Sequence, residues 1–168
     1  MIVRVRAQGT GGSWKDWPAA PGSYVLVLRL EEFLPLRIGA LGTFGFPAGE
    51  YLYCGSALGA GGVRARVRRH VEGGRKRHWH IDYLLRLARV HEVWGRLDPR
   101  RLECAWAQAL SRHGSFACPA ARFGASDCRC PAHLWRAEVP HAGLESVLRR
   151  LPAPPRPLWP GESPADML

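Results

Sequence analysis

Along most of the chain, the spacing of apolar residues separates strands from helices. Ser23–Leu30 is apolar on both faces of a two-residue period, as a central strand requires, and it follows the turn-prone Pro18–Gly22. Leu36–Ile38 predicts a short second strand and Glu50–Cys54 a third; in the third, Tyr51 and Tyr53 share one face while Leu52 and Cys54 share the other. A flexible glycine turn, Gly55–Gly62, follows. From Val63 the period becomes helical. Val63, Val67 and Val71 recur every four residues, with Arg66 and His70 along one flank of that stripe and Arg64 and Arg68 along the other. Ile81–Ala88 repeats the helical pattern, and His91–Trp94 reads as a short strand. Arg100–His113 then aligns Leu102, Ala105, Trp106, Ala109 and Leu110 on one helical face, with Gly114 placed to stop it. Glu103 borders that face, partly shielded from water. A strand at Leu134–Val139 and a helix at Leu144–Arg150 close the pattern.

These elements predict one small α/β (α+β) domain over residues 1–150, with its core at about 22–135. Its centre is a three-stranded, largely antiparallel sheet bearing the tyrosines, flanked by helices and extended by added strands. Residues 151–168 hold six prolines and read as an extended or disordered tail. No apolar run approaches the roughly 18–20 residues of a membrane helix, and Met1–Arg6 lacks the apolar stretch of a secretory signal, so the expected location is the cytoplasm. Charge changes the picture more. With 24 Lys+Arg against 14 Asp+Glu the net charge is +10, which favours a polyanionic partner, most simply nucleic acid. Five cysteines, an odd number without a signal peptide, argue against a secreted disulfide framework.

In order, the chain offers a strand with a tyrosine, a second strand with a tyrosine, a glycine turn, an arginine helix and a later helix with a glutamate. This set resembles the GIY-YIG nuclease superfamily. Gly22-Ser23-Tyr24 is similar to the first signature triplet and Tyr53-Cys54-Gly55 to the second; Arg66 and His70 resemble the catalytic arginine and its helical companion, and Glu103 the metal-binding carboxylate. Phe46–Gly49 leading into Tyr51–Ala57, His78–Leu84, Glu103-Cys104 and Phe123–Leu134 resemble a branch of unknown function sometimes fused to endonuclease III-type DNA glycosylases. Ser23 stands where the superfamily name has isoleucine. The long interval from Tyr24 to Tyr53 leaves room for an extra strand or hairpin.

The resemblance implies a metal-dependent endonuclease acting on nucleic acid, with DNA in repair or processing as the expected substrate. Hydrolysing a phosphodiester needs an activated water, a cation on the scissile oxygens and neutralisation of the departing alkoxide. Tyr53, lowered in pKa by metal and Arg66, would serve as base, with Tyr24 in support. Arg66 would grip the phosphate through its planar fork, and His70 would relay a proton or bind phosphate. A single carboxylate, Glu103, fits magnesium with retained waters, with manganese as a substitute. Arg64, Arg68, Arg69, His78 and His80 are the further candidate nucleic-acid contacts.

Each residue also has an ordinary structural explanation. Strand tyrosines are usually core residues and helix arginines solvated, while His78 and His80 around Trp79 could cap the following helix. Asp82 could cap that helix or pair with an arginine. The glycine turn could offer amides to a phosphate or simply turn. Cys128, Cys130 and His133, with Cys104 and Cys118 available, could bind zinc, form a disulfide or be buried thiols. Their spacing is not a two-cysteine knuckle and weighs against zinc. The rival to the enzyme is a catalytically silent nucleic-acid-binding module on the same scaffold, with a structural zinc protein a third alternative.

Overall fold

The computed structural model describes residues 15, 17–73 and 76–159. Among these residues, eight strands and four α-helices run in the order β1 (Gly22–Leu30), β2 (Leu34–Ile38), β3 (Gly42–Phe46), β4 (Gly49–Ala57), α1 (Gly62–Glu72), α2 (His80–Leu84), β5 (Arg89–Leu97), α3 (Glu103–Arg112), β6 (Phe116–Ala117), β7 (Leu134–Ala137), α4 (His141–Leu148) and β8 (Arg156–Trp159). Six strands form one antiparallel sheet in the order β6-β7-β4-β1-β5-β8. The expected three-stranded sheet is therefore its centre, β4-β1-β5.

The two apolar faces of β1 feed two separate cores. Tyr24, Leu26 and Leu28 pack with Tyr51, Tyr53, Val63, Val67 and Ile81 under α1 and α2. Val25 and Val27 pack with Leu52, Cys54, Trp106, Leu110 and Leu144 under α3 and α4. The alternation read from β4 holds, because Tyr51 and Tyr53 enter the first core and Leu52 and Cys54 the second.

The long interval after β1 is a hairpin, with β2 and β3 forming their own two-stranded sheet. The proline-rich segment is not wholly a free tail. Residues 156–159 add β8 to the edge of the sheet against Val93–Gly95, a place where the missing N–H of Pro157 is tolerated. Residues 160–168, and the Met1–Arg6 segment read for a signal, lie outside the described residues.

In α1 the buried residues are Val63, Val67 and His70, while Val71 is only half-buried. The stripe thus runs i, i+4, i+7, and a histidine takes the place expected of a valine. Among the described residues, no helix is long and apolar enough to cross a membrane.

Candidate active site and metal centre

β7 pairs with β4 only over Tyr51–Tyr53, so the outer edge of β4 is left without a strand partner from Gly55 onward. A cleft of about 580 Å³ opens there, and Tyr24, Tyr53, Arg66, Glu103, His78 and His80 all contribute to its walls. α1 reaches it from one layer and the first turn of α3 from the other. Tyr24 sits between two glycines in register, Gly55 on β4 and Gly95 on β5. A Cβ at Gly55 would lie 2.5 Å from both Cζ and Oη of Tyr24, so the glycine of the second triplet makes room for the tyrosine of the first. Gly55→Ala is therefore expected to displace the phenol and to destabilise the fold by about 1–3 kcal/mol, read from urea midpoints.

His70 lies directly behind the cleft, with Nε2 2.7 Å from the Tyr24 hydroxyl. Its Nδ1 is buried without a hydrogen-bond partner, and Asp82 Oδ1 stands 3.8 Å away. The Asp82 charge favours the proton on Nδ1, which leaves Nε2 to accept from Tyr24. Asp82 itself accepts from the backbone N–H groups of His78 and Trp79 and takes a two-pronged ion pair from Arg69 at 3.1 and 3.0 Å. It thus both caps α2 and pairs with an arginine. Arg66 and Arg69 each lie over the Trp79 ring, at 4.0 and 4.2 Å, which holds the Arg66 guanidinium at the cleft wall.

Burial pushes the Tyr24 and Tyr53 phenols well above their ordinary pKa, and Arg66 opposes the rise in both without cancelling it. Both are therefore neutral near pH 7, and the sequence expectation of a Tyr53 lowered enough to act as base meets a stronger opposing force. Burial lowers His70 to about 3, with Asp82 working against it. An unfolded histidine titrates near 6.5, so between about pH 3 and 6.5 the unfolded chain binds the extra proton and stability rises with pH. The His70 contribution is full above that window and is lost as the pH falls through it, by up to about 1.4 kcal/mol per pH unit. Urea midpoints measured from pH 7 to pH 5 should fall, and fall less in His70→Gln.

The candidate nucleic-acid residues divide between two places. Arg64, Arg68 and Arg69 line a second groove with Lys15 on the far side of α1, whereas His78 and His80 belong to the cleft. Arg68 is paired with Glu72 at 2.8 Å. His80 accepts the Gly124 N–H at Nδ1 (3.0 Å), which places its own proton on Nε2. At the start of α1, three amides are already engaged and offer a phosphate nothing. The N–H groups of Gly62, Val63 and Arg64 bond to the carbonyls of Gly59, Ala20 and Pro18.

Glu103 is only 1% exposed, more deeply buried than its border position suggested. Its Oε1 accepts from Arg101 Nε at 2.8 Å and its Oε2 from Ser23 Oγ at 3.3 Å, while Arg101 also holds Asp127 at 3.0 Å. Both carboxylate oxygens are thus engaged, one of them by a guanidinium shared with Asp127, a poor seat for a hydrated magnesium ion. Among the described residues, the fold does gather one group of potential metal ligands, Cys104, Cys128, Cys130 and His133, whose ligand atoms all lie within 4.8 Å of one another. Thiolates and an imidazole suit zinc, not an oxygen-seeking cation. The expectation of magnesium, with manganese in its place and zinc disfavoured, is corrected accordingly. Sequence spacing weighs against zinc at this set because Cys104 comes from α3, far upstream of the Cys128–His133 loop. Cys118 is exposed and not among the gathered residues.

No curated protein and no solved structure matches this chain. A family model matches residues 23–152, from Ser23 beside Tyr24, through the cleft and the cysteine loop, to the end of α4 and the turn after it. On that extent, the chain belongs to the family described as Domain of unknown function DUF123.

Proposed function

We propose that the protein is a nuclease that hydrolyses phosphodiester bonds of nucleic acid, with DNA as the expected substrate, and that the cleft at the free edge of β4 is its active site. The observation that carries this reading is the meeting of Tyr24, Tyr53, Arg66 and Glu103 at one cleft, with His70 hydrogen-bonded to Tyr24 behind it. The charge of +10 and the resemblance to GIY-YIG nucleases point to the same substrate class.

The residues divide the work by their surroundings. Arg66, held by Trp79, binds two non-bridging phosphate oxygens and offsets the charge that builds on them during attack. The water that attacks phosphorus gives its proton to the Tyr24 oxygen as Tyr24 passes its own to His70 Nε2. Asp82 then faces the imidazolium so formed. Burial opposes a free tyrosinate and an imidazolium alike; the Asp82 carboxylate facing Nδ1 offsets part of that cost for His70. Tyr53 donates its hydroxyl to the water or the phosphate. His80 Nε2–H hydrogen-bonds the departing sugar oxygen, which takes its proton from solvent water in the open cleft. Glu103, through Arg101 and Ser23, holds the start of α3 to β1. None of the five cysteines is in a disulfide, which suits work in a reducing cytoplasm.

The test is to incubate purified protein with single-stranded, nicked and branched DNA, in parallel with and without added divalent salts. Cleavage by the wild type that is lost in His70→Ala supports the reading. Salt-sensitive binding of every substrate with no product would instead identify the silent binding module, a result that the engaged Glu103 carboxylate and the neutral phenols would explain.

A further inference from the structure

We propose that Cys104, Cys128, Cys130 and His133 hold one zinc ion as a closed structural tie, fastening the loop before β7 to the first turn of α3 and so fixing one wall of the cleft. Two of the sulfurs approach a single imidazole nitrogen, His133 Nε2, with Cys128 Sγ at 3.4 Å and Cys104 Sγ at 3.8 Å. That nitrogen has one proton or one lone pair and cannot satisfy both thiols. One cation among them satisfies all four groups. In a tetrahedral zinc site the usual bond lengths put sulfur and nitrogen about 3.5 Å apart, and both observed distances lie near that value.

The loop is organised to present these ligands. The Arg122 guanidinium donates to the carbonyls of Cys128 and Cys130, each at 2.6 Å, and to that of Ala125. Backbone bonds from Arg122 to Pro131, from His133 to Phe123 and from Cys54 to His133 join the loop to itself and to β4. Four protein ligands leave no open coordination position, so the ion is structural and takes no part in the chemistry.

The connection to the cleft is direct. Cys104 follows Glu103 and Cys128 follows Asp127, the two carboxylates that Arg101 bridges. His133 and Gly124 also line the cleft. Zinc would therefore keep Arg101, Glu103 and Asp127 in register, and its loss would loosen that wall. The site stands apart from the nuclease reading, and either can fail alone.

The full chain, expressed in zinc-supplemented medium and purified without chelator, should contain one zinc per molecule by elemental mass spectrometry. Replacement by cobalt(II) should give the intense visible bands and sulfur-to-metal charge transfer of a tetrahedral thiolate site. Stripping the metal should lower Tm by about 10 °C or more. Cys128→Ser and His133→Ala should lose the metal, and Cys118→Ser should keep it. Should the ligand variants not fold, alkylation of the native wild type replaces them: Cys104, Cys128 and Cys130 should be protected until chelator is added. Metal-free protein, a disulfide among these cysteines, a weak octahedral cobalt spectrum, or full zinc content in folded Cys128→Ser would each overturn the proposal.

Discussion

Arg66→Ala is expected to lower the single-turnover cleavage rate by about 10²–10³-fold, the usual effect of removing one preorganised donor from the transition state of such a transfer. Arg66 carries this weight because it is held against Trp79 at the wall shared with Tyr24 and Tyr53, where a scissile phosphate would develop charge. Arg66→Lys should recover little, since an ammonium lacks the planar fork that engages two oxygens and stacks on an indole. The fold should be nearly unaffected, because Arg66 is only half-buried and Arg69 also lies over Trp79. A rate close to wild type in Arg66→Ala would remove the phosphate from this part of the cleft.

Trp106→Ala should have the largest effect on stability, about 3–5 kcal/mol, measured by denaturant unfolding. Trp106 is fully buried in the core beneath α3 and α4, and its indole N–H donates to the Pro152 carbonyl at 2.8 Å. Removing it leaves a cavity beside Val25 and Val27 of the central strand and frees the segment that leads to β8. The exposed backbone at Pro152 can be rehydrated, so Trp106→Phe, which keeps an aromatic ring and loses the donor, should cost only about 1–2 kcal/mol. The site would feel the larger change as well, since Glu103 and Cys104 occupy the turn of α3 just before Trp106.

The elements whose side chains face a core were legible in the sequence. β1 is apolar on both faces because it is a central strand, and the alternation in β4 assigns Tyr53 and Cys54 to opposite sides. α1 and α3 were visible from their apolar stripes. Of the hairpin β2–β3, the first strand was legible at Leu36–Ile38 and the second only as an interval too long for the signature. β8 was hidden, because six prolines read as a free tail until an edge position accepts one of them in a strand.

Within the cleft, the order of Tyr24, Tyr53, Arg66, His70 and Glu103 in the sequence anticipated their meeting, but not their states of charge. Burial raises the phenols, and the carboxylate is engaged by neighbouring Arg101 and by Ser23 from β1; only the Arg101 contact is local in sequence. The members of the cysteine cluster were legible, but their gathering was not, for a similar reason. Cys104 and Cys128 are joined only by the packing of α3 against the loop, and no local spacing encodes that contact.

The central claim is that a phosphodiester sits between Arg66 and the Tyr24–His70 pair. It is tested most directly by nuclear magnetic resonance of the isotope-labelled protein titrated with a short single-stranded DNA carrying uncleavable phosphorothioate linkages. The account expects the Arg66 side chain, the Tyr53 amide and the His80 ring to shift together and to saturate at one DNA per chain. Saturable shifts confined to Arg64, Arg68 and the far side of α1, with Arg66 and Tyr53 unmoved, would contradict it.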